Sequence, residues 1–536
     1  SSFNNQNVAN TAWAFAKLGI KNEILMGAFA RRILRGHSLS TFNAQDIANI
    51  VWAFATLGIR LDDFLEAITK RLQSGLLSTF NSQDIANTAW GFATLEVRKE
   101  GLMKDIARRC LQDGFLATFS SQALANTAWA FAELGIRNDL LMQGIGDHIV
   151  QYGLLSSFNA HNIATTAWAF ASLGVQHHKL MTGIMKQMRQ TAFLTCFNAQ
   201  DLANVVWAFA TLEIKNASLL AVIVKHVMQP HVLTTLDVQA LSSISWSFAA
   251  LDIQDERAMQ TLGTSIVDTS LLQTLPPKSL ADVSWAFATV AVHHEQLMNA
   301  VARRITEIDF VSTCSSQDIG NIVWAFAKLG VRDAGPMAAV AQHLLQPGVL
   351  SSCGAQIVAN VAWAFAELGF KSDFLMTCIA TCALQPGFLL ACTADSVARI
   401  TWAFATLEIQ HPQLMQAFSQ RIVQKGFLST FQASDLCDVA WSFAKLGIRD
   451  EMLMSSIADQ AMTDECLAVF TAVDLSRITW ALASLNISHD SLMTAIAKLI
   501  VVKEVLATFT PQDMATVLWA FTVNVQNKQL TTAAVV

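Results

Sequence analysis

The chain has 536 residues, 53% of them hydrophobic and only 14% charged, with a net charge of -6 and a pI near 6.1. A mean hydropathy of +0.39 would suit a membrane protein, yet apolar runs such as 205–210 fall far short of the roughly 18 residues a spanning helix needs. Bulk charge also argues against a general nucleic-acid binder, so any cations that matter must be gathered on one face.

Residues 1–4 already read as the start of a repeat, and no signal or transit peptide is expected ahead of them. The fourteen tryptophans, Trp13, Trp52, Trp90, Trp129, Trp168, Trp207, Trp246, Trp285, Trp324, Trp363, Trp402, Trp441, Trp480 and Trp519, fall 39 residues apart at every step except Trp52 to Trp90, which is 38. A fixed period of this size is the mark of a stacked repeat architecture.

Residues 42–72, FNAQDIANIVWAFATLGIRLDDFLEAITKRL, show the unit. Asn43 and Asp46 have the spacing of a capping box and predict a first helix, helix A, over about 44–57. Gly58 stands where a left-handed residue ends a helix, as do Gly19, Gly135, Gly174, Gly330, Gly369 and Gly447. After a polar turn at Asp62 and Asp63, the apolar spacing of 64–72 predicts a second helix, helix B. Gln229-Pro230, Gln346-Pro347 and Gln385-Pro386 mark the turn from helix B into the next unit. One hairpin cannot bury its own Trp, Phe and Leu, but stacked hairpins share a core. The predicted fold is all-α: an α-solenoid of about fourteen two-helix repeats of 38–39 residues, a single array over 1–536. Repeats seven and eight drift, with Leu236 and Leu275 in place of Phe, but no linker breaks the period. The last repeat stops within its expected helix B, near 527–536, so the array is expected to be a piece of something longer at both ends.

Helix A turned at 100° per residue leaves a narrow polar strip. It is made of the residues seven and three before each Trp and one, four and eight after it: in repeat two, Gln45, Asn49, Ala53, Thr56 and Arg60. The position three before Trp stays polar while its chemistry changes: Asn10, Asn49, Asn87, Asn126, Thr165, Asn204, Ser243, Asp282, Asn321, Asn360, Arg399, Asp438, Arg477 and Thr516. These are side chains that discriminate base edges by hydrogen bonding, and the other reading is an exposed polar site under little constraint. The small residue after Trp would let a planar group approach. The Trp itself is assigned to packing between repeats. Eight repeats carry a cation eight residues after Trp, namely Lys21, Arg60, Arg98, Arg137, Lys215, Arg332, Lys371 and Arg449, which would suit phosphates. A second set closes helix B at Arg31, Arg32, Lys70, Arg71, Arg108, Arg109, Lys186, Lys225, Arg303, Arg304, Arg421 and Lys498. The competing account of both sets is that cations offset the dipole at helix C-termini.

No catalytic signature is present: there is no phosphate loop, no HExxH and no nucleophile elbow, so no enzyme and no cofactor are expected. The nine cysteines include no CxxC pair and no zinc spacing, and imply a reducing compartment. Cys314, Cys353 and Cys392 replace the Phe at 42 and read as core thiols, too far apart in stacked repeats to bridge. Cys378 and Cys382, one helical turn apart, could hold a metal but read more simply as helix residues. His177-His178 and His293-His294 fall between helices and read as solvated loop. The Asp six before Trp, as in Asp46, Asp84, Asp201, Asp318, Asp435, Asp474 and Asp513, reads as a helix-start carboxylate.

NAQDIAN followed by WAFATLG, at a period near 38, resembles the octotricopeptide repeat family of paired-helix organelle proteins over essentially the whole chain. That resemblance implies a sequence-selective single-stranded RNA-binding array in chloroplast or mitochondrial RNA metabolism, with the residues three before Trp reading bases. The Asn and Trp on neighbouring turns also resemble armadillo repeats, which implies instead a groove for an extended peptide. A structural subunit or scaffold of a large organelle complex is the third reading.

Overall fold

The computed structural model describes residues 4–35, 38–268, 271–307, 309–424, 426–501 and 507–534; the repeat start expected at 1–3 and the chain end at 535–536 lie outside them. Among these residues there are helices and turns and no strand, and the fold is the all-α solenoid that the period predicts. By internal contacts the chain divides into two units, Ser1–Ser265 and Ile266–Val536.

In the first unit, helices A are Asn5–Lys17, Ala44–Thr56, Ser82–Thr94, Ser121–Glu133, Ala160–Ser172, Ala199–Thr211 and Val238–Ala250, each of 13 residues. Each packs along the next, so an interior helix A is covered on two sides by its own kind. The second unit repeats the scheme from Pro277–Thr289 to Ala472–Ser484, and ends in Pro511–Ala534. Helices B, such as Asp62–Gln73 and Asp139–Gln151, form the other layer.

Local chemistry sets the boundaries. Asp46 donates its backbone N–H to Asn43 Oδ1 at 2.8 Å, and its carboxylate accepts the Asn43 N–H at 3.4 Å. The same reciprocal box closes at Asn81 with Asp84, Ser315 with Asp318 and Thr471 with Asp474. Such a cap contributes about 1 kcal/mol, and burial pushes the Asp46 and Asp84 carboxyls above their ordinary range. At the other end Gly58 has φ +61°, and all seven of the glycines named above are left-handed. Six repeats lack that glycine and hold the conformation with Glu96, Glu213, Asp252, Ala291, Glu408 and Asn486, at φ of 53° to 59°. Each strained residue costs about 1–2 kcal/mol, so stacking rather than turn chemistry sets the hairpin angle.

Three sequence expectations change. The turn into each following repeat is a short helical segment in its own right, as at Leu76–Thr79, Pro230–Leu233 and Pro386–Ala391, so a repeat is two helices and a helical turn. His177 and His294 are not solvated: both are buried, and each caps helix B by accepting the N–H of Leu180 or Leu297 on Nδ1. Their rings stand edge-on to Phe170 and Phe287 at 6.0 Å. In the last repeat Pro511–Ala534 runs on as one helix of 24 residues, with no second helix beginning near 527.

In nine repeats the Phe two after Trp is among the largest fully buried side chains. Phe54, Phe92, Phe131, Phe170, Phe209 and Phe248 in the first unit, and Phe287, Phe326 and Phe404 in the second, are fully buried. Cys314, Cys353 and Cys392 are buried and free, with burial pushing Cys314 and Cys392 up to about 11. Cys378 and Cys382 are half-buried free thiols.

Candidate functional site

Helix A is packed on most of its circumference, and what remains open is narrower than the sequence strip. The residue one after Trp is not on it. Ala53, Ala130, Ala169 and Ala208 are fully buried, and a Cβ built on Gly91 would lie 2.6 Å from Val51 Cγ1 and 3.2 Å from the Val51 carbonyl oxygen. The small side chain is there because the neighbouring helix A touches it, not to admit a ligand.

The residue eight after Trp also leaves the helical projection. Helix A ends at Thr56, and the left-handed Gly58 redirects the chain before Arg60 is reached, so 100° per residue no longer applies. The cations of this set instead sit at the turn and pair with the carboxylate two residues on: Lys21 with Glu23 at 3.3 Å, Arg60 with Asp62 at 2.9 Å, Arg98 with Glu100 at 3.0 Å, Arg137 with Asp139 at 2.8 Å and Arg449 with Glu451 at 2.7 Å. Lys21 and Arg60 also reach the last carbonyls of the next helix A, Gly58 O and Leu95 O. Lys215 and Arg332 line clefts on the helix B side, and Lys371 acts on Glu408 through its charge.

Three positions make the open strip: seven and three before Trp, and four after it. In the first unit Asn10 is exposed, Asn49, Asn87, Asn126, Asn204 and Ser243 are half-buried, and Thr165 is buried. In the second unit Asp282, Asn321, Asn360, Arg399, Asp438, Arg477 and Thr516 are all half-buried. The tryptophans edge the strip as a ladder. Trp13, Trp52, Trp90 and Trp129 follow at ring-centre distances of 6.4, 6.4 and 6.5 Å, tilted by 31° to 37°, and the interior rings are half-buried. Trp441 and Trp480 repeat the spacing in the second unit at 6.4 Å.

Sequence reasoning missed what covers this ladder. Lys17 Nζ lies 5.6 Å from the Trp13 ring and 5.4 Å from Trp52, and Lys328 bridges Trp324 and Trp363 at 5.9 and 5.3 Å. Arg399 sits 5.7 Å over Trp363. The signal was available, since a residue four after Trp must lie one turn along the same face. The strip also carries little net charge. Its charged side chains in the first unit are Lys17 and Glu133; in the second, Lys278, Lys328, Arg399, Lys445 and Arg477 face Asp282, Glu367, Asp395 and Asp438. Burial pushes the Asp282 and Asp438 carboxyls up to about 6, so the second unit's strip turns more positive below that pH.

The helix B arginines are structural. Arg109 lies 3.9 Å from the Phe115 ring and donates to Phe80 O at 3.2 Å, Arg71 donates to Ser40 O at 3.1 Å, and Arg304 and Arg421 stack on Phe310 and Phe427. Among the described residues no three His, Cys, Asp or Glu side chains converge as a metal site, and no helix is long and apolar enough to cross a membrane.

A family model for the RNA-editing substrate-binding complex 6 protein matches the sequence twice, over residues 2–274 and 236–529. The chain belongs to that family. No curated protein matches the sequence. Among solved structures, the maize pentatricopeptide repeat protein PPR10 aligns at 12% identity over 99% of this chain and 93% of that chain, with a TM-score of 0.30. A homology model of the full-length AP-3 complex in an intermediate open conformation aligns at 9% identity over 98% of this chain and 92% of that chain, with a TM-score of 0.29. The chain carries the polar residue three before Trp beside the Trp ladder in both units.

Proposed function

We propose that this chain is a helical-repeat component of organelle RNA metabolism that binds single-stranded RNA along the helix A strip and carries out no chemistry of its own. The two units act as one array in this reading, and the octotricopeptide likeness is one of repeat motif and mode of action. Support comes from the strip: one polar side chain per repeat, changing in chemistry beside a half-exposed Trp ladder, in a chain whose family is named for a complex that binds RNA-editing substrates. Amides and hydroxyls suit base edges, and indole faces suit stacking.

Phosphates would fall to the turn cations Lys21, Arg60, Arg98, Arg137, Lys371 and Arg449, while Lys215 and Arg332, which line clefts on the helix B side, drop out of the expected set. Several of these are held by carboxylates, and an exposed ion pair of this kind is worth about 0–1 kcal/mol, little enough for a phosphate to displace. Replacing the acids, Asp62→Asn with Glu100→Gln and Asp139→Asn, should therefore tighten binding to every RNA sequence. The slope of log K against log salt should steepen by up to about 0.7 per freed cation. Unchanged affinity in the triple variant would remove these cations from the interface. A wild-type chain that binds no RNA at low salt would end the reading altogether. A neutral strip with paired cations also favours a second reading, a groove or scaffold for a protein partner.

A further inference from the structure

The strip is not equally available along its length. In repeats two to four, Asn49, Asn87 and Asn126 are half-buried, and neither they nor Gln45, Gln83 and Gln122 one turn away make a side-chain hydrogen bond among the described residues. The same pair is self-satisfied elsewhere: Gln200 donates to Asn204 at 3.0 Å, Gln317 to Asn321 at 2.8 Å and Gln356 to Asn360 at 3.4 Å. Further along, the polar positions lock to each other. Arg399 donates to Asp395 at 2.7 Å and to Asn360 at 3.3 Å, and Arg477 donates to Asp438.

A half-buried amide with no protein partner keeps its donor and acceptor available, so repeats two to four hold hydrogen-bonding capacity that a ligand can take up. A cleft of about 400 Å³ opens between repeats three and four, lined by Gln83, Asn87, Gln122 and Asn126 with Ser82 and Ser120. Lys17 covers Trp52 at the edge of this segment, but among the described residues no cation covers Trp90 or Trp129, and the residues four after Trp here are Thr56, Thr94 and Glu133.

Resting on the RNA reading, we infer that repeats two to four are the base-reading segment and that they take a run of three adenines, one per repeat. An amide offers one donor beside one acceptor. Adenine presents the complementary pair on both its open edges, N6–H with N7 and N6–H with N1, whereas guanine, cytosine and uracil present such a pair on the Watson–Crick edge alone. The ladder pitch of 6.4–6.5 Å is nearly twice the roughly 3.4 Å between stacked bases, so successive bases are held apart with their edges exposed. The locked side chains of repeats ten to thirteen keep their own partners and read no base.

The test uses the full chain and 9-nucleotide RNAs differing only in a central AAA, UUU, CCC or GGG. Wild type should prefer AAA by at least tenfold. Asn49→Thr with Asn87→Thr and Asn126→Thr should erase that preference; Thr165 already holds this position in repeat five, so the change suits the fold. Lys70→Gln, on helix B and away from the strip, should leave the preference intact. RNA binding with no adenine preference, or a preference that survives the Thr variant, overturns this inference while leaving the RNA reading standing. No binding to any of the four overturns both.

Discussion

Phe209→Ala is expected to lower the stability of the first unit by about 3–5 kcal/mol, more than Trp207→Ala in the same helix. Phe209 is fully buried between neighbouring repeats, while Trp207 is half-buried along the strip and gives up less apolar contact when truncated. Trp207→Ala should cost about 2 kcal/mol on that basis, and Asn204→Ala, which loses one exposed hydrogen bond to Gln200, under about 1 kcal/mol. Urea unfolding of the three variants gives the order directly. If Trp207→Ala proves the most damaging, the ladder is the core and has little surface to offer a ligand.

Gly91→Leu is expected to be comparably severe, at about 3 kcal/mol, for the opposite reason. Even a methyl group there meets Val51 Cγ1 at 2.6 Å and the Val51 backbone at 3.2 Å, and the backbone cannot swing aside as a side chain can. The loss should be local, opening the contact between Ala44–Thr56 and Ser82–Thr94. Hydrogen exchange should accelerate in those two helices before it does in Val238–Ala250. Uniform acceleration across the first unit would mean that the repeats unfold as one block.

Much of this was legible in the sequence because the repeat reports its own register. The Trp spacing, the Asn43 and Asp46 cap and the left-handed glycines each follow from local rules, and each is where those rules put it. The tryptophans do pack between successive repeats, as their fixed spacing suggests, but the Phe two after them lies deeper, because depth depends on which face the neighbouring helices cover. The helical wheel failed at Arg60 because it was carried past the residue that ends the helix. Four left-handed turns, at Glu96, Glu213, Ala291 and Glu408, were invisible, since Glu and Ala give no turn signal there and stacking imposes the conformation; Asp252 and Asn486 are residue types that tolerate it. The pairing of Arg399 with Asn360 and of Arg477 with Asp438 joins residues 39 apart, and only the stacked register brings them together.

The claim at the centre of this account is that RNA lies on the open strip of helix A. Ultraviolet crosslinking of the full chain to a single-stranded RNA, followed by peptide mapping, tests it with no substitution at all. The account predicts crosslinks on the peptides that carry Asn49 to Trp52, Asn87 to Trp90 and Asn126 to Trp129. Crosslinks confined to helix B, around Arg71, Arg109 and Arg304, or a chain that forms none at low salt, would contradict it.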